Sequence, residues 1–158
     1  MNETIFSQIV SKIEEAAVHY YRLVLVVGSA DSGKTDAVRK VAGQKDIPLL
    51  NVNLEMSRLL LDLTARQRAI RLPRLMGDLL GATESQVVLL DNTEILFDPL
   101  LHQDPLRLLQ DLSRNRTLVA TWNGILKDGC LVYAEPGHPE YRRYPIGDFL
   151  LVSTEAMS

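Results

Sequence analysis

Short apolar runs alternate with segments of helical periodicity along most of the chain. Continuous apolar runs bounded by turn residues predict buried strands, at residues 23–27, 48–52, 86–90 and 118–120. Between these runs, apolar residues recur every three or four positions, which predicts helices over residues 3–20, 33–41, 55–82 with a break near Pro73, and 104–114. Strands that alternate with helices predict an α/β protein with a parallel sheet and helices on both faces.

The last 30 residues are predicted to hold two more strand-like pieces, at residues 131–134 and 149–153. A strong turn signal, Pro136-Gly137-His138-Pro139, separates them. A chain of 158 residues suits one domain, so residues 1–158 are predicted to form a single unit in which the helix at 3–20 packs on a core at 21–153.

Composition removes several classes of function. Hydrophobic residues make up 46% and charged residues 23% of the chain, which are ordinary globular values. The net charge of −3 argues against a protein that binds nucleic acid by bulk charge. No secretory signal is visible, and no apolar run approaches the ~20 residues that span a bilayer, so we expect a cytoplasmic protein with no membrane contact. The single cysteine and the three histidines lack metal-ligand spacing: Cys130, His19, His102 and His138.

One segment matches the pattern G-x-x-x-x-G-K-[ST] without deviation, between a predicted strand and a predicted helix. This segment and the residue after it are predicted to hold nucleotide phosphates: Gly28, Ser29, Ala30, Asp31, Ser32, Gly33, Lys34, Thr35 and Asp36. Backbone N–H groups at a helix N-terminus attract anions. We expect Lys34 to reach the β- and γ-phosphates of ATP and the Thr35 hydroxyl to ligate Mg²⁺. The competing interpretation is an ordinary Gly/Ser turn with an exposed lysine.

A second acidic group ends the apolar run at 86–90. Asp91 is expected to lie at the carboxyl edge of the sheet and to hold the metal, although an aspartate that starts a turn after a core strand fits the same pattern. Hydrolysis also needs a group that orients the attacking water. Glu94 is a candidate for that base, and it is equally a candidate for an N-terminal residue of the next helix.

Polar residues tip the strand predicted near residues 117–121. Thr121 and Asn123 are candidates for contact with the γ-phosphate, and a simple turn before Gly124 is the alternative. The arginines fit a charged solvated face for the most part. One or two of them are candidates for action on a neighbouring subunit's nucleotide, and those at residues 66–74 are candidates for contact with a DNA backbone.

The segments GSADSGKT, VVLLDNTE and TLVATWN resemble the core of AAA+ and related additional-strand P-loop ATPases over about residues 20–153. With its small size and the segment LLDNTEILFD, the chain also resembles the BrxF family of type III BREX phage-defence systems. The resemblance implies a three-layer α/β/α P-loop NTPase fold with a mainly parallel five-stranded sheet in the order 2-3-4-1-5. It implies Asp91 as the Walker B acid, Thr121 or Asn123 as sensor 1, and Arg142 or Arg143, just before the last strand, as an arginine finger.

Two departures from this family pattern qualify the expected function. Asn92 stands where many such ATPases carry a glutamate directly after the metal aspartate, and the sequence after Ser153 leaves no room for a C-terminal lid domain. We therefore expect Mg²⁺-dependent ATP binding with slow or partner-stimulated hydrolysis, coupled to assembly of a BREX-type defence complex. ATP-dependent homo-oligomers and other defence-system proteins are the expected partners. The alternatives are a small-molecule kinase and a nucleotide-binding scaffold without turnover.

Overall fold

The computed structural model describes residues 4–154, in which helices and strands alternate for most of the length. The five helices are α1 (Ile5–Ala16), α2 (Lys34–Lys45), α3 (Val52–Leu60), α4 (Ala65–Gly81) and α5 (Pro105–Leu112). The seven strands are β1 (Leu23–Gly28), β2 (Leu49–Asn51), β3 (Val87–Asp91), β4 (Thr117–Lys127), β5 (Cys130–Tyr133), β6 (Arg142–Pro145) and β7 (Leu150–Ser153). Two short 3₁₀ helices follow β3, at Thr93–Phe97 and Pro99–Leu101.

Five of these strands form a parallel sheet in the order β2-β3-β4-β1-β7. This confirms the predicted α/β fold and the order 2-3-4-1-5, with β7 as its fifth strand. Because the strands are parallel, the carboxyl ends of β1, β3 and β4 meet at one edge of the sheet. The register places Gly28 beside Asn123 and Asn51 beside Asp91 at that edge.

Each central strand buries side chains on both of its faces. Along β1, Leu23 and Leu25 belong to the core that includes α3, α4 and α5, whereas Val24 and Val26 pack with α1 and α2. This alternation follows from the two-residue period of a strand. The sheet is therefore the middle of three layers, as the continuous apolar runs predict.

Strand β4 is much longer than predicted, because it continues through Gly124 to Lys127. The alternative of a turn before Gly124 is wrong. The chain turns instead at Asp128 and Gly129, whose φ angles of 52° and 73° are both positive, as a tight hairpin turn requires. The chain then returns as β5, which pairs antiparallel with β4. Strand β6 in turn pairs antiparallel with β5. These three segments, residues 124–145, are called the hairpin extension below.

The helical stretch predicted at 55–82 is broken in a different place from the one expected. The break lies at residues 61–64, and Pro73 lies inside α4. Thr64 starts α4 with a capping box, in which its side chain and that of Gln67 each accept from the other's backbone N–H. Proline at 73 has no N–H for the carbonyl of Ala69, and the side-chain amide of Gln103 donates to that carbonyl at 2.8 Å instead.

Other boundaries differ from the prediction by a few residues. Helix α1 ends at Ala16 rather than at residue 20, and residue 3 lies outside the described residues. Helix α2 runs four residues further than predicted, and Val52 begins α3 instead of ending β2. Within residues 4–154, no helix is both long enough and apolar enough to cross a bilayer.

Candidate nucleotide-binding site

The predicted phosphate loop connects β1 to α2 at the carboxyl edge of the sheet. Gly33 has a φ angle of 91°, a left-handed conformation that glycine adopts without the strain of a side chain. Helix α2 starts at Lys34, and its N-cap residue is Gly33, which has no side chain to cap the helix. The N–H groups at a helix N-terminus, together with the helix dipole, favour an anion at this position.

Lys34 is buried although it carries a charge, with 3% of its surface exposed. Its Nζ donates to the carbonyl of Gly28 at 3.0 Å and also to the carbonyl of Ser29. The Ser29 carbonyl accepts the backbone N–H of Ser32 as well, at 3.1 Å. The lysine amine therefore lies inside the loop, among backbone carbonyls close to the N-terminus of α2.

Asp91 is the last residue of β3, and it is 6% exposed. Its Oδ1 accepts a hydrogen bond of 2.8 Å from the hydroxyl of Thr121 on the neighbouring strand. Leu89, two residues earlier, packs with the core under α2, so Asp91 faces the side of the sheet that carries α2. The carboxylate and the phosphate loop thus share one face at one edge.

Carboxylate and hydroxyl oxygens at Asp91 and Thr35 are ligands of the kind that Mg²⁺ takes. Residues 4–154 contain no group of three or more His, Cys, Asp and Glu side chains arranged to hold a metal ion. A magnesium ion at this edge would therefore depend on nucleotide phosphates for its other ligands, as it does in phosphate-loop sites. The donor set present fits that role.

Glu94 and Asn123 form a second pair, at the point where β3 has ended and β4 leaves the parallel sheet. The side-chain amide of Asn123 donates to Oε1 of Glu94 at 2.5 Å. Nearby, the hydroxyl of Thr93 donates to the backbone carbonyl of Thr121 at 2.7 Å, which ties the 3₁₀ helix to β4. Glu94 thus lies in the first turn of a 3₁₀ helix and also faces the polar tip of β4, so its two interpretations are compatible.

The chain turns sharply at Asn92, between the two acidic residues. Asn92 has a φ angle of 53°, a left-handed conformation that asparagine tolerates better than most residues. Its carbonyl accepts the N–H of Asn53 at the start of α3, at 3.0 Å. Because of this turn, the 3₁₀ helix begins at Thr93, two residues after Asp91. The turn explains how Glu94, three residues after Asp91, comes to face Asn123 on β4.

The two arginines predicted as finger residues lie on β6, within the hairpin extension. Strand β6 precedes the last strand in the sequence, but it pairs with β5 and is not part of the parallel sheet. Arg142 donates to the carbonyl of Gln103, in the loop before α5, at 3.0 Å. Arg143 is exposed, and hydrogen bonding to the Cys130 side chain raises the pKa of its guanidinium. Both groups are therefore engaged with their immediate neighbours in the isolated chain.

The arginines of α4, together with Arg116, divide into two sets. Arg68 donates to the carbonyls of Leu61 and Leu63, and Arg116 donates to the carbonyl of Leu80, so these two stabilise chain turns. The remaining arginines of α4 lie on its exposed surface: Arg66, Arg71 and Arg74. DNA contact by this group stays a prediction.

Thr154, which directly follows β7, was not predicted as part of the site. Its hydroxyl donates to the hydroxyl of Ser32 in the phosphate loop at 2.8 Å. No pattern in the sequence identifies this contact, because 122 residues separate the partners and a lone threonine after a strand is common.

The fold is P-loop NTPase-like. The sequence matches no protein-family model and no curated protein. Among solved structures, PCH-2 from C. elegans is similar, with a TM-score of 0.47 and 16% identity. The match covers 94% of this chain and 41% of that chain, so this chain spans less than half the length of the structure it matches. A similarity of this size identifies neither a ligand nor a partner.

Proposed function

We propose that the protein binds ATP with Mg²⁺ at the phosphate loop. The observation that carries this proposal is the burial of two opposite charges, Lys34 and Asp91, on two elements that meet at one edge of the sheet. The phosphates of ATP carry negative charge and Mg²⁺ carries positive charge, so a Mg-ATP complex offers a charge of opposite sign to both groups at once.

The groups at this edge of the sheet have separate roles in this proposal. The N–H groups at the start of α2 bind phosphate oxygens, and Lys34 exchanges its carbonyl partners for the β- and γ-phosphates. Thr35 and Asp91 are the protein groups that would hold Mg²⁺, which would supply positive charge to the phosphates. Thr121 keeps the Asp91 carboxylate oriented through its hydroxyl.

We further propose that hydrolysis is slow or needs a partner. Glu94 is the proposed base for the attacking water, and Asn123 holds it beside the end of β4. Glu94 does not directly follow Asp91 in the sequence, because the turn residue Asn92 and Thr93 lie between them. A scaffold that binds nucleotide without turnover is the second candidate, and Asn92 is the observation that favours it.

The proposed cellular role is the assembly of a BREX-type phage-defence complex in the cytoplasm, through ATP-dependent homo-oligomers. Its support is the sequence resemblance of residues 20–153 and of LLDNTEILFD, as set out above. In such an oligomer, Arg143 is the better candidate for a residue that acts on a neighbour, because it is exposed whereas Arg142 donates to Gln103.

ATP binding and turnover, measured against protein concentration, test this function. We expect wild-type protein to bind Mg-ATP and Lys34→Ala to lose at least about 100-fold in affinity, because the phosphates lose their buried cation. Lys45→Ala, at the exposed end of the same helix, is the matched control and should bind normally. Equal binding by all three proteins would overturn the proposal.

Turnover separates the two candidates. A rate per subunit that rises with concentration supports a site completed by a neighbouring subunit. Tight binding without turnover at any concentration supports the scaffold, or a catalytic partner that must be added.

A further inference from the structure

The last strand of the parallel sheet ends against the phosphate loop. Strand β7 pairs with β1, with Ser153 beside Val27. The backbone N–H of Thr154 donates to the carbonyl of Val27 at 2.9 Å, which extends the pairing by one residue. This brings the Thr154 side chain to the level of Gly28, where the phosphate loop leaves the sheet.

The Thr154 hydroxyl is linked to the loop itself. It lies 2.8 Å from the hydroxyl of Ser32 and 3.3 Å from the carbonyl of Val27, and either oxygen can accept its hydrogen. Both hydroxyl groups are partly buried. A Cβ atom at position 28 would collide with both hydroxyl oxygens. Gly28 is therefore required for a close approach, since the hydroxyl pair occupies the space where any other residue would carry its side chain.

Ser32 in turn sets the atoms that hold the buried lysine. Its backbone N–H donates to the carbonyl of Ser29, and the same carbonyl accepts from the Lys34 amine. A short chain of contacts thus leads from Thr154 through Ser32 and Ser29 to Lys34.

We propose that Thr154 is a positioning residue for the phosphate loop, acting through Ser32 to preset the loop for a triphosphate. The proposal rests on the proposed function, in that the preset loop is the one that binds ATP. Thr154 itself touches no phosphate in this assignment. Its hydroxyl reduces the number of conformations that the loop must give up when nucleotide binds.

The test compares Mg-ATP affinity in four proteins: wild type, Thr154→Val, Thr154→Ser and Ser32→Ala. Valine keeps the shape of threonine and removes the hydroxyl, so we expect Thr154→Val to bind about five- to tenfold more weakly, the effect of one lost hydrogen bond. Thr154→Ser should restore wild-type affinity. Thr83→Val, far from the loop and in a comparable local hydrogen bond to Ser85, is the matched control and should not change affinity.

A double-variant cycle distinguishes this positioning role from a general loss of stability. Ser32→Ala combined with Thr154→Val should cost no more than Thr154→Val alone, because the contact between the two hydroxyls is already lost in Thr154→Val, together with the contact to the Val27 carbonyl. Full additivity, or wild-type affinity in Thr154→Val, would overturn the proposal.

A readout without nucleotide separates this inference from the proposed function. In the free protein, the amide hydrogen of Ser32 should exchange faster in Thr154→Val than in wild type, while amides of β3 stay unchanged. If wild-type protein failed to bind ATP, the proposed function would fail, and the exchange result would still decide whether Thr154 holds the loop. An unchanged Ser32 amide overturns the inference.

Discussion

At the residue scale, two hydrogen-bonded side-chain pairs differ in how deeply they are buried, and the roles proposed for their carboxylates differ accordingly: Asp91 holds the cation and Glu94 takes the proton. Thr121 donates to Asp91 in a fully buried position, whereas Asn123 donates to Glu94 in a partly buried one. A buried carboxylate with one oxygen already bonded suits a fixed metal contact. A partly buried carboxylate at the strand tip is better placed to meet water, so the division of roles follows from depth.

Glu94→Gln tests this division. Glutamine keeps the size and the acceptor oxygen that faces Asn123, so we expect Mg-ATP affinity within about twofold of wild type. Loss of the base should lower turnover by about 100-fold or more, since general base catalysis contributes at that level. Steady-state phosphate release and equilibrium binding are the measurements.

The matched control for that prediction is Glu84→Gln, which changes the same charge on an exposed residue before β3. It should leave both binding and turnover unchanged. Turnover in Glu94→Gln equal to that of wild type would show that another group orients the water.

The positions of the phosphate loop and of Asp91 were predictable because their signals are local. Eight consecutive residues define the loop, and Asp91 follows four consecutive apolar residues, Val87–Leu90. Thr154 was not predictable, because its partner Ser32 is distant in sequence and the contact depends on β7 pairing beside β1. The pairing of Glu94 with Asn123 likewise depends on the left-handed turn at Asn92, which no spacing rule encodes.

At the element scale, helix α4 shows how a proline is kept inside a helix. Proline normally leaves the carbonyl four residues earlier without its helical partner. Here the Gln103 side chain donates to that carbonyl, at Ala69. The sequence predicted a break at Pro73 because the compensating amide comes from a loop 30 residues further along, which a local pattern cannot include.

Gln103→Met tests this compensation. Methionine has a similar length and no donor, so we expect the free energy of unfolding to fall by about 1 kcal/mol. In a Pro73→Ala background the helix regains its own N–H, and the same Gln103 change should cost less. Urea unfolding of the four proteins measures the coupling. An equal cost in both backgrounds would mean that Gln103 acts elsewhere.

The strand predicted at residues 131–134 is confirmed as β5, whereas the continuation of β4 and the strand β6 were missed, for two different reasons. Asp128-Gly129 is a strong signal for a tight hairpin turn, and it lies between residues that now form β4 and β5. That signal was available in the sequence. Strand β6 carried no signal of its own, because Arg-Arg-Tyr-Pro shows no alternation of apolar and polar residues. It is a strand only because β5 offers it a partner.

At the scale of the whole molecule, burial patterns predicted the three layers well. Every strand of the parallel sheet that reads as a continuous apolar run is covered on both faces, and the one amphipathic helix before β1 packs beside α2. The hairpin extension lengthens the core on the α3, α4 and α5 side of the sheet, to which Leu131 and Tyr133 belong. There Phe97 stacks on Tyr133, with ring planes 9° apart, and Trp122 packs edge-on against both.

Because of two tyrosines in this aromatic core, the free energy of unfolding should fall at alkaline pH. Burial, with the Glu140 and Glu94 carboxylates nearby, raises the pKa of Tyr133, and burial with a hydrogen bond to Asp104 raises the pKa of Tyr144. A raised pKa in the folded state means that folding retains a proton that the unfolded chain loses above about pH 10. The stability is therefore complete below pH 10 and declines as the pH rises through 10.

Urea unfolding at several pH values between 8 and 11 measures this decline. Each tyrosine contributes at most about 1.4 kcal/mol per pH unit once the unfolded chain ionises. Tyr133→Phe removes one ionising group, so its stability should fall less steeply with pH than that of wild type. Tyr20→Phe, on an exposed side chain, is the matched control. If wild type and Tyr133→Phe declined with the same slope, other groups would govern alkaline unfolding, and the buried tyrosine would have no part in it.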